Sequence, residues 1–540
     1  STVDEVTPLE KKLHTPKIEG AEEQVRDIAV NRAIELYGNP LPELIETRLN
    51  KELDAIINHG YAVLYLIAKK MVDKSVEDGY VVGSRGSVGS SFVAFLMGIT
   101  EVNPLPPHYF CANCHYIEFV QNNGYGSGYD LPAKKCPDCG ETLNRNGQDI
   151  PFETFMGFEG DKVPDIDLNF SGDYQDEAHR FIETLFGKEH VYRAGTINTI
   201  ASRTAYGFVR SYEEKTSKKV RKAESERLAS AITGVKRTTG QHPGGLMIIP
   251  KEYEVYDFTP IQYPANTKEA MVLTTHFDYE SIHDDLVKID ALGHDDPTFI
   301  KLLKDITGVD PMEIPMDDPQ TMKVFSSVEP LGIKTDVIGT DVGTLGIPEF
   351  GTQFVRGMLS ETRPKSFAEL VRISGLSHGT DVWLNNAQEW MRQKKATLSD
   401  VIACRDDIMN YLIKKGMNAS KAFKIMENVR KGKGISEENE KDLKELGVPE
   451  WYIESCKRIK YLFPKAHATA YVSMAFRIAY FKVHYPLAFY AVYFTLKGDD
   501  FDVEAALGGP EIVKKRLMEL STIIDKDVRE KSKETTLELM

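Results

Sequence analysis

Residues 160–172 read "GDKVPDIDLNFSG", with two aspartates one residue apart in an otherwise apolar run. Successive side chains of a strand alternate, so Asp165 and Asp167 share one face while Ile166 and Leu168 share the other. The apolar pair is expected to face a core. Two adjacent carboxylates repel each other unless something neutralises them, and a divalent cation is the usual partner. The bland reading is a solvated edge strand with two exposed acids. The pair alone does not separate the two readings.

Upstream, "YVVGSRGSVGSSFVAFLMGI" reads as a strand, a glycine-rich turn and a helix. The backbone amides of such a turn suit phosphate oxygens, and the helix N-terminus adds favourable potential. The turn is neither a Walker A loop nor a dinucleotide G-x-G-x-x-G. Followed by a D-x-D strand, it becomes a pairing for nucleotidyl transfer, in which the turn holds a triphosphate and the strand holds metals. Two cations need more than two ligands. "DDLVKIDALG" supplies the third: alternation sets Leu286, Lys288 and Asp290 on one face and Val287 and Ile289 on the other. Asp290 is expected at the strand end beside a glycine turn, with Lys288 placed to meet phosphate charge. The rival acids Asp284, Asp285, Asp295 and Asp296 lie in turn-like surroundings and are expected to be solvated.

At 540 residues, 41% hydrophobic and 27% charged, the chain has the balance of a soluble globular protein of three or four domains. From the polar, acidic start no signal peptide is expected. The most apolar stretch, "TAYVSMAFRIAYFKVHYPLAFYAVYFTL", is interrupted by Arg477, Lys482, His484 and Pro486 and reads as a buried or groove-lining helix rather than a membrane span. A cytoplasmic location without membrane contact is expected. Cys111 and Cys114 form one C-x-x-C and Cys136 and Cys139 another, after 21 intervening residues. That spacing suits one structural, tetrahedral Zn²⁺, and a disulfide pair is the competing reading. Cys404 and Cys456 read as core residues. Net charge is −15, which opposes a general affinity for nucleic acid, yet basic residues cluster at 215–222, 457–465 and 410–434. Within the last cluster Lys421, Lys424, Arg430, Lys431 and Lys433 are candidates for phosphate-backbone contacts, against the reading of a solvated helix face.

Helical patterns run from Glu22 to Gly38 and from Leu41 to Lys70. The cysteine ribbon spans 106–147. Residues 173–235 read as charged helices, "GVKRTTGQHPGGLMIIP" as turn and strand, and Pro297 to about Asp500 as mainly helical. A polar helical tail follows.

Six motifs in order, "VGSRGSVGSS", "PDIDLNFSG", "RTTGQHPGG", "KIDALGHDDP", "GLSHGTDVW" and "FPKAHATAY", resemble those of the bacterial family C replicative DNA polymerases, over about residues 10–500. The inserted cysteine ribbon resembles specifically the PolC branch. The resemblance implies an α+β multidomain chain with a polymerase-β-like nucleotidyltransferase palm, the zinc ribbon, a helical thumb and large, mainly helical fingers. Its expected boundaries are a linker or PHP remnant at 1–20, palm at 21–105, ribbon at 106–147, the palm catalytic strand at 148–172, thumb at 173–235, palm again at 236–296, fingers at 297–500 and the start of a duplex-binding region at 501–540. It implies template-directed DNA synthesis on two Mg²⁺ held by Asp165, Asp167 and Asp290.

By the same resemblance Gly83, Ser84, Arg85, Gly86, Ser87 and Lys288 face the triphosphate, Tyr461 stacks on the nascent base pair, and Lys465 and His467 approach the β/γ phosphates. The competing reading makes Tyr461 and Tyr471 plain core aromatics on a helix. His242, Ser377 and His378 are further nucleotide-side candidates, with "TTGQHPGG" as a mere tight turn left open. Primer–template DNA and deoxynucleoside triphosphates are the expected partners. Sliding-clamp and replisome contacts are expected for the family, with the clamp contact and the exonuclease outside these residues. Two competing readings remain. A template-independent nucleotidyltransferase explains the turn and the aspartates but not the basic helical half. A zinc-ribbon nucleic-acid scaffold leaves turn and aspartates as coincidence.

Overall fold

The computed structural model describes residues 9–120, 124–160, 162–266, 272–333, 339–523 and 528–540. Residues 1–8 of the expected linker lie outside them. The chain divides into two units, each built from two stretches of sequence: one from 9–19 and 175–293, the other from 20–174 and 294–540.

The unit from 20–174 and 294–540 is mainly helical. Its first helices are Ala21–Tyr37, Glu43–Asn58 and Ala62–Glu77. The single helix expected from Leu41 to Lys70 is thus two, because Gly60 adopts a left-handed φ of +73° and breaks the run. The apolar stretch is also two helices, Lys465–His484 and Pro486–Leu496, with Pro486 at the first helical position where its missing N–H costs nothing. The first is buried all round. Ala468, Val472, Ala475, Phe476 and Ala479 pack into one core with Phe367, Leu370 and Ile425. Met474, Ile478 and Phe481 pack into another with Phe299, Leu303 and Phe489. Cys404 and Cys456 belong to the first core, as their patterns suggested.

Within 106–147 three short strands pair in the order Ile117–Phe119, His108–Phe110, Asn144–Asn146. Elsewhere in this unit the strand Gly83–Arg85 runs antiparallel to Asp167–Ser171.

The unit from 9–19 and 175–293 carries five strands in the order Val287–His294, Lys236–Ile248, Val191–Thr199, Thr274–Asp278, Ile261–Gln262. Helices Gln175–Phe186, Ser202–Thr216 and Lys222–Ile232 accompany them. The strand Val191–Thr199 went unseen in a region read as helical. "TTGQHPGG" is extended backbone inside a long strand rather than a tight turn. It tolerates Pro243 because pairing with Val191–Thr199 shifts register between Arg193 and Gly195, opposite that proline. Residues 9–19 belong here: His14 bridges to Leu286 and lies edge-on to Tyr253.

Candidate active site

In the larger unit the site grows from one strand pair. Leu168 and Phe170 are fully buried and Ile166 nearly so, while Asp165 is exposed and Asp167 half-buried, as alternation required. Their carboxylate oxygens lie within 4.8 Å of each other. Antiparallel register sets Arg85 opposite Asp167 and Gly83 opposite Asn169. The glycine-rich turn is thereby held over the acidic pair by backbone hydrogen bonds. Gly86 has φ +70°, and a Cβ there would meet Asp167 Oδ2 at 3.0 Å. Only glycine serves at that position.

Not all of the turn faces a ligand. Ser84 Oγ is buried against Thr100 Oγ1 at 2.7 Å, and the Gly86 amide donates to His467 Nδ1 at 3.1 Å. A donor on Nδ1 places the imidazole proton on Nε2. Burial holds His467 neutral, its pKa pushed down to about 3, with His378 and Arg85 adding repulsion. Behind the turn, the fully buried Glu52 accepts from Ser91 Oγ at 2.8 Å and from Val93 N at 3.1 Å.

His467 packs at a tilt against Tyr471 with ring centroids 4.6 Å apart and meets His378 edge-on at 5.4 Å. Tyr471 OH accepts from Asn169 Nδ2 at 2.9 Å, tying the aspartate strand to the helix Lys465–His484. His378 Nε2 lies 2.6 Å from Glu349, and its Nδ1 lies 2.7 Å from Ser374 O. Acceptors on both nitrogens call for imidazolium. Burial opposes that charge, but Glu349 outweighs it and the pKa is raised. Ser377 Oγ donates to Ser374 O. Tyr461 is 41% exposed and edge-on to Phe463. Lys465 Nζ donates to the carbonyls of Gln148 at 2.5 Å and Gly126 at 3.5 Å.

Sequence reasoning missed several neighbours. Asn169 was findable, since it lies two residues beyond Asp167 on the same strand face. Glu349 gave no sequence signal; it sits at φ +67°, an unusual conformation for a side chain of its kind. Asp296 was expected to be solvated but is buried in the first turn of Asp295–Thr307. Burial, then Glu349 and Asp295, raises its pKa to about 8. Arg405 and Asp406, adjacent charges in "ACRDDI", are both buried. The amide of Arg405 donates to Phe463 O at 3.0 Å, and Asp406 accepts from Lys465 N at 2.7 Å.

In the smaller unit the strand carrying Asp290 runs on to His294, beyond the end expected at Asp290 and through the glycine read as a turn. Asp290 is 5% exposed and pairs with Lys288 Nζ at 2.7 Å, while that lysine also lies over the Tyr279 ring at 4.2 Å. His242 Nδ1 accepts from Gly245 N at 2.8 Å and stands 3.5 Å from Asp290 Oδ1. A Cβ on Gly245 would meet that nitrogen at 2.8 Å, so the second glycine of "HPGG" lets the imidazole fold back.

In the ribbon, Cys111–Cys139 and Cys114–Cys136 sulfurs are each 3.4 Å apart, and all four lie within 4.8 Å. That is too far for a disulfide and near the roughly 3.8 Å edge of a tetrahedron with 2.3 Å metal–sulfur bonds. Four converging thiols are able to hold a metal ion. The candidate phosphate contacts are divided. Lys421 pairs with Asp442, and Arg430 and Lys431 both pair with Glu427, at 2.6 and 3.4 Å. Lys424 and Lys433 are exposed. Among the described residues no helix is long and apolar enough to cross a membrane.

Two family profiles match. The bacterial DNA polymerase III alpha NTPase domain covers residues 23–225 and 208–293, and the bacterial DNA polymerase III alpha subunit finger domain covers 296–448. The chain is 72% identical over 538 residues to a DNA polymerase III PolC-type of Thermotoga petrophila, covering 100% of this chain and 39% of that protein. It is 61% identical over 518 residues to one of Caldanaerobacter subterraneus, covering 96% of this chain and 37% of that protein. A Listeria welshimeri PolC-type relative is 59% identical over 535 residues, 99% of this chain and 37% of its own length. The chain thus spans under two-fifths of the length of these relatives. With the ordered motifs, the paired aspartates under their glycine turn and the profile matches between residues 23 and 448, the chain belongs to the bacterial DNA polymerase III alpha family.

Proposed function

We propose that this chain adds deoxynucleotides to a primer 3′-hydroxyl under the direction of a template, releasing pyrophosphate, as part of bacterial chromosome replication. The observation that carries the reading is the register of Arg85 against Asp167, which fixes a phosphate-sized glycine turn beside two carboxylates. Hard carboxylate oxygens suit Mg²⁺, and four thiols suit Zn²⁺. Asp165, Asp167 and Asp290 would hold two Mg²⁺, and Cys111, Cys114, Cys136 and Cys139 one Zn²⁺. When bound, the magnesium ions supply the positive charge that acidifies the 3′-hydroxyl and stabilises the leaving pyrophosphate.

The chain's own groups do the rest. Arg85 and Ser87 orient the triphosphate at the turn. Lys288 supplies cationic charge next to Asp290. Neutral His467 keeps the turn's backbone in place, and cationic His378 balances Glu349 behind it. Tyr461, exposed at the edge of the aromatic group, offers a face for the nascent base pair. Lys465 and Ser377 line the same approach. We assign palm to 21–105, 148–172 and 236–296, thumb to 173–235 and fingers to 297–500, with primer–template DNA reaching Lys424 and Lys433 first. Sliding clamp and other replisome proteins are proposed partners of the longer protein, in the cytoplasm.

Primer extension tests the reading. Incorporation should require a template and follow its sequence. Asp165→Asn, Asp167→Asn and Asp290→Asn should each lower it about a thousandfold, the several kcal/mol of a lost metal ligand, with the fold retained; Asp290→Asn also lowers thermal stability because it removes a buried ion pair with Lys288. Near-normal turnover in any one of the three removes that residue from the set, and template-independent addition overturns the reading as a whole.

A further inference from the structure

We propose that the four-cysteine ribbon is a brace for the helix Phe367–His378, and that Asp130 is the positioning residue that carries the brace across. The inference rests on the proposed nucleotide-side roles of His378 and Lys465. Asp130 ends the short turn Gly128–Asp130 within the ribbon. Its Oδ1 accepts from Phe367 N at 2.6 Å and its Oδ2 from Ala368 N at 2.9 Å. These are the first two amides of the helix, whose own cap, Ser366, serves only Glu369 N. A helix leaves its first N–H groups without internal partners, and a carboxylate there gains from the helix dipole as well. Here that carboxylate comes from 237 residues away in sequence.

The contact is built on both sides. The Tyr129 ring meets Phe367 edge-on at 5.0 Å. A Cβ on Gly126 would come within 2.9 Å of Ala368 Cβ, and one on Gly128 within 1.9 Å of the Asn146 carbonyl oxygen. Gly128 N donates to Gly147 O at 2.6 Å, which fastens the turn to the ribbon's closing strand. The same segment receives Lys465 Nζ at Gly126 O, and the ribbon's exit receives it at Gln148 O. The ribbon therefore holds the N-terminus of Phe367–His378 and the first residue of Lys465–His484. The far end of the first helix presents His378 to His467. A rigid 12-residue helix passes a tilt at its start to its end. On this view the thiolate-bound metal fixes the nucleotide pocket, and the ribbon is not a DNA grip.

The test is Asp130→Asn in the full chain, since asparagine keeps the volume but accepts through only one oxygen. Zinc content should stay at one per chain. Amide exchange at Phe367 and Ala368 should quicken at least about tenfold. KM for the nucleotide should rise about five- to tenfold, with kcat and primer–template affinity within about twofold. Unchanged exchange overturns the brace, and so does a loss of DNA affinity with KM unchanged. Faster exchange with an unmoved KM overturns the positioning role, unless His378→Asn also leaves KM unmoved; the fault then lies in the nucleotide-side reading and the brace stands. Should Asp130→Asn fail to fold, chelating zinc from the unaltered chain gives the second measurement. Faster exchange confined to Phe367–His378 and the ribbon supports the proposal, and slow exchange there overturns it.

Discussion

Asp296 keeps only 6% of its surface in water, and its carboxyl group titrates near pH 8. An unfolded aspartate loses its proton near pH 4, so between about pH 4 and 8 the folded chain holds a proton that the unfolded chain has released. Stability contributed by this group is present below pH 4 and is lost as pH rises through 8. Asp296→Asn removes the titration. It should raise the melting temperature more at pH 7.5 than at pH 4.5, by an amount worth a few kcal/mol at the higher pH, and scanning calorimetry at the two pH values reads the difference. An equal effect at both would show that the carboxyl is ionised in the fold. Sequence reading reached Asp165 and Asp167 because alternation is a local rule. It missed Asp296 because "GHDDP" looks like any polar turn, and Glu349, whose charge adds to the effect of burial, lies far along the chain. The four cysteines were legible for the opposite reason: each C-x-x-C is a local signal, and pairing of His108–Phe110 with Asn144–Asn146 then closes the two on each other.

Helix Lys465–His484 shows a similar tension. Lys482 is 2% exposed, donates to the carbonyls of Gly343 at 2.9 Å and Leu345 at 2.6 Å, and has its pKa pushed down to about 7 by burial and by Arg356. Its unfolded counterpart binds a proton up to about pH 10, so the unfolded state holds more protons between pH 7 and 10 and stability rises with pH across that window. Lys482→Met keeps the apolar stem and should flatten this rise in urea titrations at pH 7 and pH 9. A slope that survives the substitution belongs to another group. The helix itself was readable from its apolar length, and Pro486 was visible as an interruption in it, though not as the start of a second helix. The split at Gly60 and the strand Val191–Thr199 were not. A lone glycine inside a periodic run is compatible with helix, and "VYRAGTINT", set among charged helical segments, becomes strand through pairing with Lys236–Ile248 and Thr274–Asp278.

Across the molecule a net charge of −15 means that the proposed DNA affinity has to come from local cations rather than from the average field. Neutralising Lys424 and Lys433 together should make the slope of log affinity against log salt shallower by roughly 0.9 per lost phosphate contact. Neutralising Arg430 and Lys431 should change it less, because Glu427 already engages both. A slope unmoved by the first pair would shift the DNA path to residues 457–465. Composition revealed the basic cluster, and the i,i+3 and i,i+4 spacing of Glu427 to its cations was visible in it. The Lys421–Asp442 pair needed the fold. The interrupted layout of the larger unit also sets an order of events at birth. Residues 20–174 leave the ribosome before the 119 residues 175–293, and only then does their remaining half, from His294, appear. At about 5–20 residues per second the wait is roughly 6–24 s. During it Phe476, Ile425 and the other core partners of the second half do not yet exist. The ribbon, whose four cysteines all lie within 29 consecutive residues, is able to close on its proposed metal in that interval and have Asp130 in place before Phe367 is synthesised.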